Sequence, residues 1–141
     1  MHQLPKEDIF IDIQSLLESF SSNNKTFILG YCFGGSLAWQ CATKFPHING
    51  VICYYGSDII NHIDKKALCP TLMHFAEEDS LISRPAIHDI QTTLSNTITY
   101  TYPAGHGFAN PDRSEYSLTN ALLAEKRTIQ FIMEQIAKSE A

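Results

Sequence analysis

No stretch of this chain approaches the roughly 18 consecutive apolar residues that a membrane-spanning helix needs. Basic residues are scarce: 10 Lys and Arg stand against 15 Asp and Glu, a formal net charge of −5. That balance offers no basic patch to nucleic acid or to an anionic membrane, so neither is expected as a partner. The opening Met1-His2-Gln3-Leu4-Pro5-Lys6-Glu7-Asp8 lacks the charged-then-apolar order of a signal peptide. Four cysteines (Cys32, Cys41, Cys53, Cys69) show no paired C-x-x-C spacing, and His2, His47, His62 and His88 show no metal-ligand spacing. Neither a metal site nor a disulfide framework is expected, and a reduced, cytoplasmic setting fits best. Repeats, low-complexity tracts and linkers are absent as well, so residues 1–141 read as a single domain. An apolar content of 44% with 18% charge excludes a disordered chain.

What is present is an alternation of helical and strand patterns. Ile9, Ile13, Leu16, Leu17 and Phe20 recur at helical spacing behind Pro5, Glu7 and Asp8, which suit a first turn, and Ser21-Ser22-Asn23-Asn24 closes that helix. A short strand, Thr26-Phe27-Ile28-Leu29, leads through a glycine-rich turn into a helix stopped near Phe45 by Pro46. Gly50–Gly56 and Thr71–Ala76 are continuous apolar runs, as expected of strands buried on both faces. The polar stretch Asn61–Lys66 between them reads as a loop. Ser83 caps a helix over Arg84–Leu94, with Pro85 near its start, and Thr97–Tyr102 is a β-branched and aromatic strand. A loop over Pro103–Arg113 precedes a long amphipathic helix carrying Leu118, Leu122, Ile129, Ile132 and Ile136. This order predicts an α/β architecture with about four parallel strands and helices on both faces of the sheet.

The chemistry concentrates at the strand ends. Gly30-Tyr31-Cys32-Phe33-Gly34-Gly35 has the form of a nucleophile elbow, a sharp strand-to-helix turn, with cysteine where esterases usually carry serine. Small residues are expected two positions before and after the nucleophile, where bulk would clash with neighbouring backbone. The helix start favours a thiolate at Cys32. A buried cysteine ahead of a tightly packed helix would carry the same pattern, so the motif is only moderately specific. Ligand sites in parallel sheets form at the carboxyl ends of the strands. Cys32 follows the first strand, Asp79 the third, and His106, within Ala104-Gly105-His106-Gly107-Phe108, the fourth. A thiol nucleophile needs a base to take its proton and a carboxylate to orient that base. Among the acids, Glu77, Glu78 and the earlier Asp58 compete with Asp79. His74 lies inside an apolar strand and reads as core, as do Cys41 and Cys53 on their apolar faces. Trp39, Tyr54 and Tyr55 suit either a pocket lining or packing.

The elbow, the Tyr54-Tyr55-Gly56 strand end, the acid turn ending at Asp79, Ala104–Ala109 and the late Glu125-Lys126-Arg127-Thr128 together resemble the dienelactone hydrolase (carboxymethylenebutenolidase) family, thiol-using members of the α/β-hydrolase fold. The resemblance covers nearly the whole chain, but it corresponds to the C-terminal part of the family's fold, a partial α/β-hydrolase fold without the earlier strands. It implies Cys32 as nucleophile, Asp79 as orienting acid, His106 as base and the Phe33 N–H as an oxyanion donor. Arg113, Tyr31 and Phe108 are the residues expected to contact substrate. The implied substrate is a small ester, lactone or thioester, and no cofactor is implied. The family's second oxyanion N–H and a glutamate that contacts the resting thiol come from the earlier region. Where the family often places an arginine four residues after the histidine, this sequence has Asn110. The rival reading is a truncated, non-catalytic remnant with an interaction or regulatory role; a redox-sensing thiol is a third. An elbow strand at the margin of the sheet exposes an apolar edge, for which a homodimer or a longer gene product is the expected remedy.

Overall fold

The computed structural model describes residues 6–20 and 23–140, with the side chain of Lys6 left aside. The expectations placed on His2, Pro5, Ser21 and Ser22 lie outside the described residues. The chain forms α1 (Lys6–Glu18), β1 (Phe27–Tyr31), α2 (Phe33–Lys44), β2 (Gly50–Tyr54), β3 (Thr71–Ala76), α3 (Arg84–Thr93), β4 (Ile98–Tyr102) and α4 (Leu118–Ser139). One sheet contains the four strands in the order β1-β2-β3-β4, every pair parallel. The sheet therefore follows chain order, with β1 at one margin and β4 at the other. None of the described helices is long and apolar enough to cross a membrane.

Both faces of the sheet are covered. Tyr54 of β2 and His74 of β3 are register partners, and both reach Thr128 of α4. Their neighbour Cys53 points the opposite way, towards Cys41 of α2. Every residue of β2 and β3 is buried, as their unbroken apolar runs predict. Trp39 of α2 is also fully buried and donates its indole N–H to the His62 carbonyl at 2.9 Å. That bond anchors a single-turn helix, Ile59–His62, overlapping the stretch that reads as a polar loop. Isolated turns of this kind carry too few residues to show a period; a tertiary contact holds this one.

Local signals place the helix starts. Ser83 Oγ accepts from Ala86 N at 3.2 Å and Pro85 sits in the first turn, so α3 begins where its cap predicts. β1 runs two residues further than its apolar run suggests and takes in Gly30 and Tyr31. At Gly30 a Cβ would lie 2.0 Å from the Gly34 carbonyl oxygen, so only glycine fits where the chain folds back over the elbow.

Candidate active site

The elbow is built from β1, Cys32 and α2. Cys32 has φ 56° and ψ −121°, a strained backbone region for a side-chain-bearing residue. Its own N–H donates to the Tyr54 carbonyl at 3.0 Å, and its carbonyl accepts from Gly35 and Ser36, so the turn is tied both to β2 and to the first turn of α2. The expectation of crowding around the nucleophile needs one correction. Crowding holds two residues before it, at Gly30, but a Cβ at Gly34, two residues after, would meet nothing within 4 Å. The tight position is Gly35, where a Cβ would lie 2.4 Å from the Tyr54 carbonyl oxygen, because α2 packs at that point directly on the end of β2. Phe33 exposes its ring, and its N–H stands at the unpaired start of α2.

Asp79 and His106 meet directly. His106 Nδ1 lies 2.7 Å from Asp79 Oδ2, with the two side chains 5% and 0% exposed. A carboxylate only accepts, so Nδ1 carries the proton and Nε2 is the nitrogen with a free lone pair. The other oxygen of Asp79 accepts from the N–H groups of Leu81 (2.7 Å) and Ile82 (3.1 Å), which fixes the carboxylate in its turn. Its rivals are engaged elsewhere: Glu78 pairs with Arg84, and Asp58 pairs with His62 at 3.0 Å and with Asn61. Tyr55, with φ 36° and its side chain buried, sets its ring 5.0 Å from that of His106.

Cys32 lies within electrostatic reach of both Arg113 and Asp79. Burial pushes its thiol up from the ordinary value; Arg113 draws it down, and Asp79 pushes it up again. The net direction is upward, against the thiolate that a helix start favours on its own: partial removal from water outweighs the nearby positive ends. Among the described residues the thiol makes no hydrogen bond, to His106 or to any other group. Arg113 donates to Glu115 Oε1 at 2.9 Å, and its side chain lies over Gly107, beside His106.

Two other expected substrate contacts sit differently. Phe108 is fully buried, 5.4 Å from Tyr55 and 5.0 Å from Tyr102 by ring centres, so it supports the histidine loop from below instead of facing a ligand. Tyr31 stands at the open margin of the sheet, its ring 4.5 Å from that of Tyr54. Tyr54 and Tyr55 pack in the core. Sequence reasoning missed the buried polar circuit behind the site. His74 Nδ1 is 2.8 Å from the Tyr102 hydroxyl, His74 Nε2 is 2.8 Å from Thr128 Oγ1, and Thr128 Oγ1 is 3.0 Å from the Tyr54 hydroxyl. The signal available was a histidine on the same strand face as a tyrosine, opposite a helical threonine. Among the described residues no cluster of three or more His, Cys, Asp or Glu side chains is arranged to hold a metal ion.

Comparison with known proteins agrees with this architecture. The model of the dienelactone hydrolase family matches residues 3–136. A carboxymethylenebutenolidase from Pseudomonas putida is 30% identical over 117 residues, which cover 79% of this chain and 49% of that protein. A solved structure from Klebsiella pneumoniae, provisionally described as a dienelactone hydrolase, superposes with a TM-score of 0.80 at 19% identity, covering 93% of this chain and 62% of that one. An esterase from Pyrococcus furiosus superposes with a TM-score of 0.69 at 10% identity, over 92% of this chain and 60% of that one. At such identities the structural likeness is one of fold. The chain spans about half the length of the curated relatives it matches.

Proposed function

Since the chain belongs to the dienelactone hydrolase family, we propose that it is a cysteine hydrolase acting on a small ester, lactone or thioester. The observation that carries this reading is the buried Asp79–His106 pair at 2.7 Å, on the same end of the sheet as the strained Cys32 turn. In the proposed reaction, His106 Nε2 takes the thiol proton as Cys32 Sγ attacks the acyl carbon. Charge gathers on the carbonyl oxygen, which the Phe33 N–H receives. The intermediate collapses as the acyl–oxygen (or acyl–sulfur) bond breaks, and the departing group takes the proton from His106. A water molecule, deprotonated in turn by His106, then hydrolyses the thiol ester and restores the thiol. Asp79 keeps the imidazole in the tautomer and orientation both halves need.

A thiol held up by burial is protonated at rest, so in this reading the base acts during attack and no standing ion pair is needed. The same upward push argues against a redox-sensing thiol, which requires an acidic one. Arg113, whose charge acts on Cys32, suits a substrate carrying a carboxylate; Tyr31, exposed one residue before Cys32, is the other residue proposed to contact it. Such chemistry needs a free thiol, which fits a reducing, cytoplasmic compartment.

The test is turnover of a panel of activated esters and lactones by the wild type and by Cys32→Ala, with circular dichroism confirming that both are folded. Loss of all turnover above background with Cys32→Ala is the expected result; activity that survives the substitution refutes the mechanism. The second reading, a non-catalytic interaction domain, is favoured by the absence of any hydrogen bond to the thiol. It expects Cys32 to resist an electrophilic ester probe at neutral pH, whereas the hydrolase reading expects stoichiometric labelling.

A further inference from the structure

We infer that the buried circuit of Tyr54, His74, Tyr102 and Thr128 is a positioning device: it joins β2, β3 and β4 to α4 and so sets Cys32 against the Asp79–His106 pair. Backbone hydrogen bonds give the reason. The Tyr54 carbonyl accepts the Cys32 N–H at 3.0 Å, and the His74 carbonyl accepts the Tyr55 N–H at 2.8 Å. The Tyr102 carbonyl accepts the N–H groups of Glu77 and Ala104, both at 2.8 Å. Glu77 opens the turn that carries Asp79, and Ala104 opens the loop that carries His106. Turn and loop are tied to each other where Glu78 N donates to the Ala104 carbonyl at 3.0 Å, and Tyr55 sets its ring beside that of His106. The three residues whose carbonyls hold the pieces of the site are thus the three strand residues whose side chains share the circuit.

The circuit is suited to that task. Its members come from four different elements and all four are buried, so a shift of one strand against the others breaks a bond that water cannot replace. Thr128 is the shared member, its one hydroxyl oxygen meeting both His74 Nε2 and the Tyr54 hydroxyl. The polarity of the circuit follows from Arg127. Its guanidinium stands 4.0 Å from the centre of the Tyr100 ring and 5.4 Å from that of Tyr102, and it bonds to the Tyr102 hydroxyl. A guanidinium only donates, so the Tyr102 oxygen accepts there and its own proton goes to His74 Nδ1. Nε2 then carries the imidazole proton and gives it to Thr128. Apolar side chains of the same volume would fill this space with no polar group to satisfy. What the four polar groups add is direction, one fixed register between the strand that holds Cys32 and the strand that holds the histidine loop. The consequence for catalysis rests on the hydrolase reading given above; the hold on the backbone does not.

The experiment compares Thr128→Val, which keeps the shape and deletes the hydroxyl, with Thr128→Ser, which keeps the hydroxyl and deletes the methyl, in the 141-residue chain. Amide hydrogen exchange needs no turnover. In Thr128→Val the N–H groups of Cys32, Tyr55, Glu77 and Ala104 should quicken about tenfold more than Val51 N, which bonds to the Pro70 carbonyl at the other end of β2. Thr128→Ser should show no such excess. On any ester that the wild type cleaves, Thr128→Val should lower kcat by about tenfold or more with KM within about twofold, and Thr128→Ser should restore kcat even where its melting temperature is the lower. A milder variant, Tyr54→Phe, frees only the Cys32 side: exchange at Cys32 should quicken, and exchange at Glu77 and Ala104 should not. Quickening at the four amides no greater than at Val51, a kcat that follows the melting temperature instead of the hydroxyl, or equal quickening at Cys32 and Ala104 in Tyr54→Phe each overturns the inference. A wild type without turnover overturns only the hydrolase reading, and the exchange rates then decide the inference by themselves.

Discussion

The β1 side and the β3–β4 side of the sheet carry the two halves of the candidate site, and they are built differently. On the β3–β4 side, Asp79 and His106 are buried, the carboxylate is held by two backbone N–H groups besides the imidazole, and Tyr55, Phe108 and Tyr102 stack beneath the histidine loop. On the β1 side, Leu29, Tyr31 and Phe33 are exposed around Cys32, and among the described residues its thiol makes no hydrogen bond. The Asp79–His106 pair is thus held firmly in place, whereas Cys32, the proposed nucleophile, stands among exposed side chains. The difference teaches where pre-organisation is needed. A base and its orienting acid lose their effect if either swings away, and burial holds both; an attacking atom must instead remain reachable.

The largest effect expected from breaking this contrast is on the relay. Asp79→Asn keeps an oxygen for the Leu81 and Ile82 N–H groups but no longer demands a proton on His106 Nδ1. Turnover of any ester that the wild type cleaves should fall by about 10⁴-fold, near 5.5 kcal/mol of barrier, with little change in melting temperature. Steady-state kinetics beside a thermal melt decides it: a variant that keeps a tenth of the activity shows that the pair is structural. Next in size is a blow to the elbow. At Gly30 even a methyl would stand 2.0 Å from the Gly34 carbonyl oxygen, and a backbone obstacle cannot rotate aside. Gly30→Ala should cost roughly 4 kcal/mol or more of folding stability, read by urea unfolding. Gly34→Ala, in open space, should cost far less. Equal losses at the two glycines would contradict the account of how the turn is packed.

How far the sequence disclosed these halves follows from the range of the forces involved. The order of elements, the parallel sheet, the cap at Ser83 and the placement of Cys32, Asp79 and His106 at strand ends all rest on local pattern plus one topological rule, and all were readable. Contacts between distant segments were not. Phe108 was expected to contact substrate; only the approach of Tyr55 and Tyr102 shows that it is packed inward. Gly35, and not Gly34, became the crowded glycine because α2 lands on the end of β2. The direction of the Cys32 shift likewise depended on burial weighed against Arg113 and Asp79, three quantities that a linear pattern does not contain. His74 was legible as core, yet its circuit through Thr128 required a helix more than fifty residues later to arrive at one turn's precision.

That circuit supplies the last and smallest effect, and it separates the two sides by pH. Burial, with the nearby Arg127 adding to it, lowers the His74 imidazole from 6.5 to about 3. The unfolded chain takes up a proton at this residue near pH 6.5, while the folded chain declines it until about pH 3. Between those values the unfolded state holds more protons, so folding stability falls as the pH falls, by roughly 1.4 kcal/mol per pH unit from this residue. Above pH 6.5 the contribution is flat. Between pH 7 and pH 5 the wild type should therefore lose about 2 kcal/mol that His74→Gln does not lose, since glutamine can bond to Tyr102 and Thr128 without titrating. Urea unfolding of both proteins at the two pH values measures the difference directly. Parallel losses would mean that His74 is not kept neutral by its surroundings. A difference confined to β3, β4 and α4 amides in hydrogen exchange at pH 5 would place the weakness on the relay's side of the molecule, leaving β1 as firm or as loose as before.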